Sequence, residues 1–140
     1  MIKKLFSLLL FMSVLPNILF AKPEYLQEGI DLFNKKKFED ARFKFEKDIV
    51  FNPKSERSYL YLSKIFNKQG KKNLEEQNLN TVILLNPKNE EALYNLAKLK
   101  LTSSDYAKSL ELNKKLKSFC KKFCSQSDKL KIEIENLSKK

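Results

Sequence analysis

Apolar residues recur at helical spacing along the chain from about residue 25 onwards. Two such sets flank the polar segment 34–37, and their members are Leu26, Gly29, Ile30 and Phe33, then Phe38, Ala41, Phe45 and Ile49. Positions three and four residues apart share one face of an α-helix, so each set predicts an amphipathic helix. Similar patterns continue towards the C-terminus, and glycine and proline are few. The sequence therefore predicts an all-α fold with seven helices after residue 21.

Short motifs predict where these helices begin and end. Proline disfavours helical geometry in the residue before it, so Asn52-Pro53 and Asn86-Pro87 each end a helix. Gly70 indicates a turn, and Ser103-Ser104-Asp105 offers capping oxygens to the helix that follows. Beyond Ser127-Asp128 a narrow apolar stripe predicts a last helix that covers the end of the array; it consists of Leu130, Ile134 and Leu137.

The chain also contains an internal repeat, whose period is the separation between Pro53 and Pro87 of the two Asn-Pro pairs. The same shift aligns one column of small residues: Gly29, Ser63 and Ala97. A small side chain lets the backbones of two helices approach closely, so one small position per repeat indicates a repeated helix crossing.

These residues resemble the pattern of the tetratricopeptide repeat family. In the first copy the matching residues are Tyr25, Gly29, Leu32, Ala41, Phe45 and Pro53. Glu75 stands in the second copy where a small residue is usual, and we expect it to loosen that helix contact. The third copy departs from the pattern at Lys100 and Asn113, as an end repeat should. The resemblance implies a solenoid of helical-hairpin repeats, with three repeats at about 22–55, 56–89 and 90–123 and a capping helix at about 127–139.

Residues 1–21 have the layout of a bacterial signal peptide. Lys3 and Lys4 precede an apolar run from Leu5 to Phe20, and Ala21 ends it. The run is shorter than the roughly 20 apolar residues of a membrane-spanning helix. We therefore expect cleavage after Ala21 and a periplasmic or secreted protein. The alternative is an uncleaved segment, residues 5–20, that anchors the chain to the membrane.

The net charge of the chain indicates which kind of partner it attracts. The whole chain has a formal net charge of +11, and residues 22–140 alone carry +9. Such a field attracts anionic partners. However, Arg42 and Arg57 are the only arginines, and no nucleic-acid-binding motif is present. The sequence therefore favours a protein or peptide, of acidic character, over nucleic acid. Membrane contact is expected only through an uncleaved signal segment.

Cys120 and Cys124 are the only residues that suggest reactive chemistry. The chain has no histidine, which removes the commonest general base and metal ligand, so we expect neither an enzyme nor a bound cofactor. Two sulfurs cannot complete a zinc site. An oxidising compartment favours a disulfide, and four residues of helix rise about 6 Å, within bridging distance. Unpaired thiols and a redox function remain open alternatives.

The resemblance also implies a concave groove, lined by the first helix of each repeat, that holds peptides. The nine positions expected to bind a partner are Ile30, Phe33, Arg57, Tyr61, Lys64, Lys68, Tyr94, Asn95 and Lys98, and Asn67 falls in the same register. We expect no acidic side chain beside the basic ones in the second repeat. The carboxylate clamp of chaperone-binding members is not supported, because Ile30 occupies one of its asparagine positions. The competing interpretation is that these lysines are ordinary solvated surface.

Three functional hypotheses follow from these patterns. The leading one is a non-catalytic scaffold of the bacterial envelope that binds a peptide or protein segment along the groove. A thiol-disulfide or redox-responsive protein acting through Cys120 and Cys124 is the alternative. The third is a structural subunit of an envelope assembly.

Overall fold

The computed structural model describes residues 24–139, so the predicted signal peptide lies outside the described residues. Within that range the chain forms seven helices and no strand, which confirms the all-α prediction. The helices are α1 (Tyr25–Asn34), α2 (Phe38–Phe51), α3 (Glu56–Lys68), α4 (Lys72–Leu85), α5 (Glu90–Thr102), α6 (Tyr106–Lys117) and α7 (Cys124–Leu137).

Consecutive helices pack against one another along the whole array. The strongest contacts join α1 to α2, α3 to α4 and α5 to α6, so the chain consists of three helical pairs followed by α7. Helix α7 packs on α6 and also reaches α5. Helix α2 ends at Phe51 and α4 ends at Leu85, directly before the two Asn-Pro motifs, as the sequence predicts.

The turn inside each helical pair has the same backbone geometry. Lys36, Gly70 and Ser104 all have a positive φ, of 60°, 67° and 61°, and they are spaced by the period of the repeat. Only the second turn uses glycine, the residue that adopts this conformation without steric cost. The third turn is followed by Asp105, whose carboxylate accepts a hydrogen bond from the backbone N–H of Lys108, as the capping prediction required.

The column of small residues lies inside the helix crossings. Gly29, Ser63 and Ala97 are all buried. A Cβ atom at Gly29 would lie 2.7 Å from the ring of Phe45, a fully buried residue. The first pair therefore has no room for a side chain at this position. Ser63 adds a hydrogen bond from its hydroxyl to the carbonyl of Leu60.

Two hydrophobic clusters form the core. The N-terminal cluster is aromatic and includes Phe45 and Phe66, with the ring of Tyr61 stacked on that of Phe45 at 5.0 Å. The C-terminal cluster is aliphatic and extends to α7; its buried members include Leu79, Leu93, Leu96, Leu116, Leu130 and Ile134.

The last helix begins earlier than the sequence predicts. We expected it to start near Ser127, but α7 starts at Cys124. Ser127 is buried inside the helix, where its hydroxyl donates to Asn113 Oδ1 and its carbonyl accepts from Asn113 Nδ2. These two bonds fasten α7 to α6, so the serine holds the helix in place instead of beginning it.

Candidate functional site

A groove of about 580 Å³ opens between α3 and α5. The first turn of α4 closes its floor with Lys72 and Glu75, and Phe33 from α1 stands at one end. Residues one helical turn apart share a face, so the groove-facing sides of α3 and α5 each contribute pairs of long polar side chains.

Six of the nine residues that we predicted for partner binding line this groove. They are Phe33, Lys64, Lys68, Tyr94, Asn95 and Lys98. Asn67, which also fell in groove register, lies among them.

Three predicted residues lie elsewhere. Ile30 is only 8% exposed and belongs to the N-terminal core cluster, because α1 turns this face towards α2. Tyr61 packs between the rings of Phe33 and Phe45 and does not line the groove. Arg57 is exposed at the start of α3, outside the groove. Of the two apolar residues expected in the groove from the first helical pair, only Phe33 therefore lines it.

The lysines of the groove differ in what they contact. Lys64 forms an ion pair with Glu91 at 2.7 Å. The ammonium of Lys68 lies 5.3 Å from the ring centre of Phe38, and that of Lys98 lies 5.8 Å from that of Tyr94. Within residues 24–139, neither Lys68 nor Lys98 has an ion-pair partner. These two ammonium groups are therefore available to an anionic ligand.

Acidic residues also line the groove, which overturns our expectation that the second repeat has none there. Glu91 neutralises Lys64, and Glu75 lies at the floor with only 4% of its surface exposed. Asn67 Nδ2 donates a hydrogen bond of 3.0 Å to Glu75 Oε1. Burial raises the pKa of Glu75, while the Asn67 hydrogen bond and the positive charge of Lys72 act in the opposite direction.

Asn67 and Glu75 form a pair that sequence reasoning missed. We expected Glu75 only to disturb a helix contact. Sliding the chain by one repeat period gives the signal that could have identified it: the equivalent residues are Phe33 and Ala41 in the first pair of helices, and Leu101 and Ser109 in the third. Only the second pair places an amide and a carboxylate at these two positions.

A tight turn between α6 and α7 lies close to the groove. The structure pairs Cys120 with Cys124, with their Cα atoms 5.3 Å apart. The carboxylate of Glu90 accepts hydrogen bonds from the backbone N–H groups of Lys121, Lys122 and Phe123, and the Phe123 bond contributes most to lowering its pKa. This arrangement holds the Phe123 ring 5.5 Å from that of the groove residue Tyr94.

Residues 24–139 lack the features of a metal site and of a membrane span. No group of three or more His, Cys, Asp or Glu side chains within that range could hold a metal ion. None of the helices there is long and apolar enough to cross a membrane.

Comparison with known proteins links this geometry to one fold. No protein-family profile matches the sequence, and no curated protein matches it. Solved structures do match. The TPR2B domain of yeast Sti1, in complex with pHsp70, is 18% identical with a TM-score of 0.75, and the match covers 81% of this chain and 95% of that one.

Two other similar structures contain bound peptides. The Yersinia enterocolitica type III secretion chaperone SycD, in complex with a peptide of the translocator YopD, is 17% identical with a TM-score of 0.73 over 84% of this chain and 93% of that one. The first tetratricopeptide domain of RPAP3, bound to the HSP90 peptide SRMEEVD, is 12% identical with a TM-score of 0.72 over 81% of this chain and 90% of that one. The chain therefore has the tetratricopeptide repeat fold.

Proposed function

We propose that this protein is a non-catalytic scaffold of the bacterial envelope that holds a peptide or protein segment in the groove between α3 and α5. The observation that carries the proposal is the groove itself. It is open, and it presents ammonium, amide and aromatic groups, of which Lys68 and Lys98 have no ion pair within residues 24–139. Such groups suit a peptide, whose backbone and side chains offer carbonyl and carboxylate acceptors.

The comparisons support binding of a protein segment at the level of the fold. SycD and the RPAP3 domain are each seen with a peptide, and both share more than four fifths of this chain's length in structure. The identity of the bound segment does not transfer at 12–17% sequence identity. The ligand must therefore be inferred from the groove of this chain.

We infer that the bound segment carries acidic residues that contact Lys68 and Lys98. Attraction between such charges acts mainly on the association rate and is screened beyond about 8 Å at physiological salt. A double variant, Lys68→Glu with Lys98→Glu, should therefore bind acidic peptides more weakly, and the loss should shrink at high salt. Titration of acidic and basic peptide pools at two salt concentrations measures this effect.

The matched control changes the same charge away from the groove. Lys115 and Lys129 are exposed on α6 and α7 and do not line the groove. Replacing both with glutamate alters the net charge of the protein equally but should leave groove binding intact. Equal weakening by the two double variants, or a preference of the native protein for basic peptides, would contradict an acidic ligand.

The envelope location rests on the sequence. Residues 1–21 have the layout of a cleaved signal peptide, and a pairing of Cys120 with Cys124 suits an oxidising compartment. Mature protein recovered from the envelope should begin at Lys22 and contain no free thiol. Intact-mass measurement with alkylation before reduction tests both points, and a mass that includes residues 1–21 would favour the anchored alternative.

Replacement of Cys120 and Cys124 distinguishes this proposal from a redox function. Glu90 already holds the turn that the two cysteines flank, so the pair suits a structural role. Replacing both cysteines with serine should leave peptide binding in place. Loss of binding together with loss of a thiol-dependent activity would instead support the redox-responsive alternative.

A further inference from the structure

Glu75 and Asp48 are the two buried acids within residues 24–139, and of the two only Glu75 lines the groove. It is 4% exposed, yet within residues 24–139 it has no ion-pair partner, although four lysines line the same groove. Asn67 is the one described side chain that donates to it, through a bond to Oε1. Buried charges in proteins are normally paired, since desolvation penalises an isolated one. A buried carboxylate without a cation, facing a groove, therefore points to a ligand.

The position of Glu75 in the repeat supports the same interpretation. The equivalent residues, Ala41 and Ser109, show that the fold does not require a carboxylate there. Ser109 is also buried, but its hydroxyl is satisfied by donating to the carbonyl of Ala97. A carboxylate therefore occupies this repeat position only in the second helical pair, at the floor of the groove.

The surrounding cations are arranged so that they do not neutralise Glu75. Lys64 is paired with Glu91, and the ammonium groups of Lys68 and Lys98 lie over the rings of Phe38 and Tyr94. Lys72 acts on Glu75 through its field without an ion pair. The groove therefore combines positive groups at its rim with one negative group at its floor.

A ligand that covers the groove floor must compensate the negative charge of Glu75. A peptide that covers the groove floor removes water from Glu75, and Oε2, which Asn67 does not reach, would then be left without a donor at a cost in free energy. A segment of acidic residues alone would satisfy Lys68 and Lys98 but would leave Glu75 without compensation. A cationic side chain between the acidic ones would supply both a donor and the opposite charge.

We propose that Glu75, oriented by Asn67, is the specificity site of the groove and takes a lysine or arginine side chain of a bound segment whose flanking residues are acidic. The inference rests on the proposed peptide-binding function and adds the central basic residue to it. Glu75 selects the basic residue, Asn67 positions the carboxylate, and Lys68 and Lys98 contact the flanking acids.

The experiment compares three short synthetic peptides that have glutamates on both sides of one central residue, which is lysine, norleucine or glutamate. Isothermal titration of the native protein should give tighter binding for lysine than for norleucine by about tenfold, the scale of one charge-assisted hydrogen bond. The glutamate peptide should bind most weakly. Glu75→Gln should bind the lysine and norleucine peptides equally, while still binding both.

A control and a second variant keep the result interpretable. Glu133 is exposed on α7, outside the groove, and Glu133→Gln removes the same charge and should keep the preference for lysine. If Glu75→Gln does not fold, as judged by circular dichroism, Glu75→Ala replaces it, because alanine occupies the equivalent position in the first helical pair. It too should abolish the preference.

The outcomes distinguish this inference from the function on which it rests. Binding without a preference for lysine, or a preference that survives in Glu75→Gln, overturns the specificity site and leaves the groove function standing. Failure of the native protein to bind any of the three peptides, or acidic peptide pools, overturns the proposed function itself.

Discussion

The first helical pair, α1–α2, and the second, α3–α4, place different chemistry at equivalent positions of the repeat. In the first pair, Phe33 packs on the hydrophobic cluster that contains the fully buried Ala41, and the ring of Phe45 fills the space above Gly29. In the second pair the residues equivalent to Phe33 and Ala41 are Asn67 and Glu75, which hydrogen-bond to each other at the groove floor.

This difference shows how one backbone can serve either packing or recognition. The first pair has a close aromatic core, and its own buried acid, Asp48, lies away from the groove and accepts a hydrogen bond from the hydroxyl of Ser58 on α3. The second pair retains a buried carboxylate, which is costly in the absence of a ligand. Other positions of α3, Leu62, Ile65 and Phe66, are apolar and buried. Substitutions that exchange the chemistry of the two pairs test this interpretation.

The largest effect is expected from placing a carboxylate in the first pair. Ala41→Glu would bury an acid where the equivalent of Asn67 is Phe33, which offers no donor. An uncompensated buried charge typically costs about 3–5 kcal/mol, so this variant should lose most of its stability. Urea unfolding followed by circular dichroism measures the loss. A decrease below about 1 kcal/mol, the central value for point mutants, would show that the first pair accommodates the acid as the second does.

The next effect concerns the helix crossing at Gly29. Gly29→Ser introduces a Cβ atom 2.7 Å from the ring of Phe45 and should destabilise by about 1–3 kcal/mol, the usual cost of overpacking. Phe45→Leu removes the obstructing ring. The double variant has serine and leucine, the residues that stand at the equivalent positions Ser63 and Leu79. Its loss of stability should be smaller than the sum of the losses in the two single variants. Strict additivity in thermal melts would contradict a direct contact between the two sites.

The smallest effect is expected from Glu75→Gln, and it should depend on pH. Burial raises the pKa of Glu75 in the folded protein above its ordinary 4.5, so the folded state binds more protons than the unfolded state between those two values. The native protein therefore gains stability as the pH falls through the folded pKa, whereas the glutamine variant lacks this gain. At pH 7 the variant should be more stable by up to about 1 kcal/mol.

Measurement of both proteins from pH 7 to pH 4 tests this sign. The stability difference should shrink as the pH falls, because protonated Glu75 and glutamine are both neutral and both accept from Asn67. A difference that stays constant across the range would show that the carboxylate is not destabilised by burial.

Much of the fold could be predicted because it depends on local chemistry. Three predicted features each act within one turn or one helix crossing: the Asn-Pro motifs, the capping oxygen of Asp105 and the column of small residues. The predicted start of α7, near Ser127, was wrong by about one turn. Its position depends on Glu90, a residue far earlier in the chain that holds the backbone of the turn before it.

The site was predicted less completely, since helix register gives a face but not the direction in which a side chain packs. Ile30 and Tyr61 have groove register, yet both are drawn into the core around Phe45. Glu75 lies on the second helix of its pair, which the resemblance did not place in the groove. Its burial beside Asn67 depends on how α3 and α4 cross, and sequence alone did not provide that geometry.

Helix α3 belongs to both hydrophobic clusters. Tyr59 and Leu60 pack on the C-terminal cluster, while Leu62, Ile65 and Phe66 are part of the N-terminal one. In a linear repeat each unit is stabilised mainly by its neighbours, so this helix connects the folding of the two halves. Backbone amides of α3 should therefore exchange with solvent deuterium more slowly than those of α1 and α7, and a groove ligand should slow them further.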